Sequence, residues 1–203
     1  MLGEATPTWR ENRREAAIAT ILEAAWELAR RDGVAGLSLS EVARSVGMKP
    51  PSLYSYFDSK AALYDAMFAQ GYGEFLRRDT KAVVPGMALR EALRAGMRAF
   101  VEFAVEDPAR HQLLFQRTVP GFIPSEASMD VANEAYEQMR IQAAAYGITD
   151  QADLDLLTAV STGLADQQIS NDPGGDRWLR QVDRAADMLA AALERRPTTR
   201  GKR

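Results

Sequence analysis

Apolar side chains recur at intervals of three and four along nearly the whole chain, the spacing that gathers them on one face of an α-helix. Ile18, Ile21, Leu22, Ala25, Leu28 and Ala29 form the first such stripe. Thr8 and Glu11 have capping-box spacing, so a first helix starts near residue 9, and Gly33 stops it. Ser38 and Glu41 make a second capping box ahead of Leu39, Val42, Ala43 and Val46, and Gly47 ends that short helix. A third helix is predicted over about 50–56, and a fourth from Ser59 to the turn at Pro85-Gly86. Further helices are predicted over 88–106, 107–117, 125–146, 150–170 and 176–195. No alternating β-branched run suggests a strand, so the expected fold class is all-α with about nine helices.

Composition narrows the function classes. The 203 residues include no cysteine and one histidine, which excludes disulfides, thiolate chemistry and paired-histidine metal sites. No stretch approaches the roughly 18 continuous apolar residues of a membrane span, and the N-terminus lacks a signal-peptide core. A soluble, cytoplasmic protein is expected. The net charge of −3 is unevenly spread. Residues 1–60 carry 8 basic and 8 acidic side chains, residues 61–194 carry 12 and 20, and residues 195–203 carry 5 and none. A neutral N-terminal module on an acidic body leaves DNA binding open, because local placement of charge decides it.

Residues 37–63 carry the chemistry: helix, glycine turn, very short helix, then the start of a long one. At about 100° per residue, Leu53 and Phe57 share the inward face of the short helix. Pro51, Ser52 and Ser55 point outward, with Tyr54 and Tyr56 at the edges. Small residues let a helix backbone approach base edges in a major groove, and flanking hydroxyls reach phosphates. Lys60 stands in the first turn of the next helix, where a cation opposes the dipole, so a bound phosphate would explain it. Two short helices about a glycine also fit an ordinary helical hairpin with solvated tyrosines and lysine.

The run Gly47-Met48, Ser52-Leu53-Tyr54, Tyr56-Phe57, Ser59-Lys60 and Leu63 is more specific. It resembles the N-terminal signature of the TetR (tetracycline-repressor) family of bacterial regulators over about residues 12–63. Met48 stands in place of the usual Val, Lys49 in place of a capping Ser or Thr, and Tyr56 in place of a common His. The resemblance implies a three-helix DNA-binding domain over 1–60 and an effector-binding and dimerisation domain over 61–196. A disordered basic tail is expected over 197–203. It implies that Tyr54, Tyr56 and Lys60 contact phosphate, and that Lys49, Pro50, Pro51, Ser52 and Ser55 face bases. Ser38, Ser40 and Arg44 are further backbone candidates. Arg10, Arg13 and Arg14 fit either a DNA-reaching arm or a solvated helix start.

In the body, the last two helices look like the family's dimerisation pair, through Leu157, Ser161, Leu164, Val182, Ala186, Leu189 and Leu193. The same stripes could instead face the protomer's own core. Phe100, Phe103, Phe115, Phe122, Met129, Tyr136 and Met139 are candidates to line an effector cavity, although each taken singly reads first as plain core. His111 is expected at the surface or as a cap. Asp172-Pro173-Gly174-Gly175 lacks the Lys and Ser/Thr of a phosphate loop and reads as a turn. The paired Glu-x-x-His motifs of a helical-bundle oxidase are missing, so no enzyme activity and no cofactor are expected. The expected function is a ligand-responsive, homodimeric transcriptional regulator. It would repress at a palindromic double-stranded DNA operator and be released by a small apolar effector. The alternative is a helix-turn-helix interaction protein controlled by a protein partner.

Overall fold

The computed structural model describes residues 8–195, and the predicted tail over 197–203 lies outside them. The described residues form nine α-helices and no strand. They are α1 (Trp9–Asp32), α2 (Leu39–Ser45), α3 (Pro50–Leu53), α4 (Lys60–Ala82), α5 (Leu89–Glu106), α6 (Pro108–Phe115), α7 (Glu126–Ala144), α8 (Gln151–Asn171) and α9 (Val182–Glu194). No helix among the described residues is long and apolar enough to cross a membrane.

Local chemistry explains most of the boundaries. At the start of α1, Thr8 and Glu11 close the expected capping box, with Thr8 N–H donating to Glu11 Oε2 at 2.6 Å. The box expected at Ser38 does not form. Glu41 N–H, which the box would use, is satisfied at 3.1 Å by the Ser38 carbonyl, and the Ser38 side chain makes no cap bond. α3 is shorter than predicted. Two prolines at its start withhold N–H groups, and beyond Leu53 the chain tightens into a turn, with Tyr56 N–H on Leu53 O at 2.9 Å. α9 starts six residues later than predicted, at Val182 rather than 176. The buried Gln168 amide takes Trp178 N–H at 2.8 Å, and Asp172 takes Arg177 N–H at 2.9 Å. Those N–H groups are held by one side chain of α8 and one just past its end, before α9 begins.

Three apolar clusters hold the helices together. The first joins Ile21, Leu22 and Trp26 of α1 to Val42, Leu53, Phe57, Leu63 and Met67, with Leu113 of α6 closing it. The second joins Met97, Val101 and Ala104 of α5 to Ala165 of α8 and to Val182 and Ala186 of α9. The third packs Phe68 of α4 with Phe103, Leu114 and Ala132. Val182 and Ala186, expected at a subunit interface, are thus wholly enclosed within the protomer. The apolar stripe of α9 faces α5, whose own stripe needs cover. Leu164 and Leu189 pack partly on this cluster as well.

Two carboxylates tie distant helices. Asp107 caps α6 by accepting Arg110 N–H at 3.0 Å and accepts from Arg30 Nε at the end of α1 at 2.9 Å. Asp65 of α4 accepts from Ser125 N–H and Ser125 Oγ, both at 2.7 Å, and so anchors the start of α7. Burial raises the Asp65 pKa, but the bonds from Ser125 and Ser128 outweigh it and leave the carboxyl below its ordinary value.

Asp107→Ala is expected to cost about 2 kcal/mol in urea unfolding: about 1 for the cap and the rest for the Arg30 pair, discounted for that arginine's exposure. An unchanged midpoint would contradict this role. The depressed Asp65 pKa means its stabilisation is complete above the ordinary carboxylate value of about 4 and is lost as pH falls through the lower folded value. The stability gap between wild type and Asp65→Asn should therefore close on acidification, as read from urea midpoints at several pH values.

Candidate functional site

The α2–α3 unit is built around a sharp turn. Gly47 has φ +67°, which L side chains rarely adopt, and Met48 N–H closes the turn on Ala43 O at 2.8 Å. Leu53 is fully buried and Phe57 nearly so, which fixes the rotation of α3 about its own axis. Lys49, Pro50, Pro51, Ser52, Tyr54 and Ser55 are consequently exposed together on the opposite side. Ser40 and Arg44 of α2 are exposed beside them, while Ser38 is half-buried.

Several of these groups already have intramolecular partners. Ser55 Oγ donates to Ser52 O at 2.7 Å, so its proton is committed to the turn. Tyr56 is half-buried against the first cluster, with the Arg14 guanidinium 5.2 Å from its ring centroid. Arg14 Nη1 also donates to Ser55 O at 3.2 Å, so α1 braces the end of the α3 turn. Sequence spacing held no signal for that bond across 41 positions. Lys60 Nζ donates to Ala35 O at 2.9 Å and lies 5.4 Å from the Tyr64 ring centroid. The lysine therefore has a local partner that the dipole argument did not foresee, although an ammonium keeps two further protons for an anion.

A cavity of about 320 Å³ lies between α4, α5, α7 and α8. Of the expected lining residues, Phe100, Phe115, Tyr136 and Met139 border it. Phe103 does not; it is buried beneath the Arg110 guanidinium, 3.9 Å from its ring centroid. Phe122 instead packs on Tyr64 and Phe68, and Met129 is exposed on α7. Leu157 and Ser161, expected at a subunit interface, border the cavity. Tyr72, Phe75 and Gly96 also line it and were not foreseen, because they lie on stripes indistinguishable from plain core. Burial pushes the Tyr64 and Tyr72 phenols up to about 12, so both stay neutral.

His111 is not at the surface. It is fully buried, its Nε2 lies 2.8 Å from Asp166 Oδ1, and its ring packs on Phe100 and Phe115. It lies on the inward side of α6, a helix that Asp107 caps and Pro108 begins. Among the described residues, no group of acidic, histidine or cysteine side chains is arranged to hold a metal ion.

A glycine turn between two short helices, with the second helix exposed on one side and seated on a three-helix core, defines a helix-turn-helix protein. Residues 21–67 match the family model described as bacterial regulatory proteins, tetR family. Over those residues the chain is similar to that family. It is 31% identical over 126 residues to the HTH-type transcriptional regulator Rv1816 of Mycobacterium tuberculosis, covering 61% of this chain and 54% of the relative. It is 29% identical over 115 residues to the HTH-type transcriptional activator FasR of Mycolicibacterium smegmatis, covering 57% and 52%. The chain spans about half the length of the curated relatives it matches. Among solved structures, SCO4313 superposes with a TM-score of 0.74 at 23% identity, over 92% of this chain and 100% of that one. A tetR-family transcriptional regulator from Streptomyces coelicolor gives 0.69 at 17%, over 89% and 81%. These likenesses concern the fold.

Leu53 is the anchor that aims α3. Leu53→Ala is expected to cost about 3 kcal/mol, as for other wholly buried leucines. Chemical denaturation checks it, and a loss under about 1 kcal/mol would mean that α3 is seated by something else.

Proposed function

We propose that this protein is a DNA-binding transcriptional regulator, a repressor that grips a palindromic operator as a homodimer and leaves it when a small apolar molecule enters the cavity. The observation that carries the proposal is the exposed face of α3. Its centre is small (Pro51, Ser52, Ser55), Tyr54 stands 51% exposed at its edge, and Lys49 sits unpartnered at its start. A rigid, narrow face of that kind fits a major groove. Residues 1–60 act as the DNA-binding unit and 61–196 as the body, joined through α4. The protein works in the cytoplasm, where its operator lies.

In this scheme Tyr54, Tyr56 and Lys60 hold phosphates, with Ser38, Ser40 and Arg44 as further backbone contacts. Lys49, Pro50, Pro51, Ser52 and Ser55 face base edges. The homodimer forms through the outer surface of α8 and α9. Leu156 and Met188 are large, apolar and 54% and 65% exposed there, and Leu157, Leu164, Leu189 and Leu193 lie half-buried beneath them. Control by a small molecule is favoured over control by a protein partner because the body is hollow. About 320 Å³ falls within the range of small-molecule pockets. Effector and operator would oppose each other by the ~1–3 kcal/mol typical of allosteric coupling, and reciprocally.

Titrating operator and scrambled duplexes at several salt concentrations separates the roles. Lys60→Ala should weaken both duplexes about equally and lower the salt slope by ~1 per half-site. Lys49→Ala should cost ~1–3 kcal/mol on the operator and relax preference at one base pair per half-site. If Lys60→Ala changed base preference and left the slope intact, the assignment would be wrong. Met188→Glu should give a protomer mass by light scattering and lose most operator affinity, since both half-sites must be engaged together. A dimer that survives this substitution would place the interface elsewhere.

A further inference from the structure

The polar groups around the cavity constrain what can occupy it, an inference that rests on the cavity being the effector site. Its lining contains no Asp, Glu, Lys, Arg or His. A carboxylate or ammonium carried to its apolar interior would lose its hydration with no counter-charge to replace it, a large cost. His111 lies close by but is shut behind Phe100 and Phe115, fully buried and bonded to Asp166.

One wall is aromatic. Tyr72, Phe75, Phe100 and Phe115 meet in edge-to-face contacts, with ring centroids 5.4 Å apart for Tyr72–Phe115 and 5.2 Å for Phe100–Phe115. Such a wall suits a flat aromatic guest. A cavity of 320 Å³ has about twice the volume of one that holds a benzene, so the guest has about the bulk of two rings.

The hydroxyls decide the rest. Tyr72 Oη donates to Leu114 O at 3.2 Å, Ser161 Oγ to Leu157 O at 2.8 Å and Thr158 Oγ1 to Leu154 O at 2.9 Å. A hydroxyl has one proton, and these three are spent on backbone carbonyls, which leaves only lone pairs for a guest. Gln142, Tyr146 and Thr162 can donate or accept and do not discriminate, while Tyr136, exposed at the rim, accepts from Gln151 Nε2 at 2.7 Å and keeps its own proton. Three of the four lining hydroxyls with a fixed partner therefore favour a guest that donates.

We propose that the effector is an uncharged, two-ring-sized aromatic molecule whose polar group is a hydrogen-bond donor, such as a phenolic or alcoholic hydroxyl, and that carboxylates are rejected. Three probes test this on the full chain at neutral pH: 2-naphthol, 2-methoxynaphthalene and 2-naphthoate, followed by calorimetry and by release of operator DNA. The naphthol should bind and release operator. The ether should bind several-fold more weakly, and the naphthoate at least a hundredfold more weakly. Ser161→Ala or Tyr72→Phe should shrink the preference for the naphthol over the ether, which a purely steric effect of the methyl group would not do. Naphthoate binding as tightly as naphthol would overturn the charge rule. Equal binding of naphthol and ether, or a preference unmoved by both substitutions, would overturn the donor rule. Binding of none of the three would remove the cavity as an effector site altogether, and the ligand chemistry with it.

Discussion

Helix α4 buries its two ends in different surroundings, and the remaining elements are positioned by that division. Its first turns place Leu63, Tyr64 and Met67 in the cluster that seats α3. The very next residue, Phe68, belongs to the third cluster, and Tyr72 and Phe75, one to two turns further on, border the cavity. No proline interrupts its 23 residues, so a displacement of the cavity end is carried to the α3 end by a continuous backbone ladder. The Tyr64 hydroxyl, donating to Val34 O at 2.6 Å, and Lys60, donating to Ala35 O, bind the start of α4 to the turn before α2.

The second contact of α4 is with α6. Leu114 lies so close to Gly71 that a Cβ there would stand 3.0 Å from Leu114 Cδ2, so glycine is what permits the approach. Arg110 of α6 reaches Glu74 of α4 at 2.9 Å, and Glu74 also holds Arg78 at 2.9 Å. Phe115, at the end of α6, forms part of the cavity wall, while Leu113 on the same helix packs into the cluster around α3. A guest pressing on Phe115 thus acts on an element that touches both regions. This is a physical route by which occupancy and the aim of α3 can be linked, and it needs only a shift between two packed arrangements.

The helical architecture was legible because it rests on local rules: three-four periodicity, Thr8 and Asp107 as caps, and glycine at Gly33 and Gly47. The inward Leu53 and Phe57 and the outward Pro51, Ser52 and Ser55 followed from the same periodicity. Illegible features depend on contacts between residues far apart in the chain. Burial of His111 requires Asp166, 55 positions away. Partnership of Lys60 with Ala35 and of Arg14 with Ser55 joins segments whose approach no local pattern encodes. The apolar stripes of α8 and α9 were correctly seen as stripes, but periodicity does not say whether a stripe meets the same protomer or another. Val182 and Ala186 turn inward, leaving Leu156 and Met188 outside. The cavity was invisible for a related reason: a void is made by what neighbouring helices leave unfilled.

The central claim is that the α3 face reads DNA and does so twice, from two copies related by symmetry. Selection of binding sites from a pool of random duplexes by the full chain tests it most directly. The account predicts enrichment of an inverted repeat whose half-sites are centred a whole number of helical turns apart, as two recognition helices on one face of the duplex require. Recovery of no enriched sequence, or of a single motif without two-fold symmetry, would contradict it.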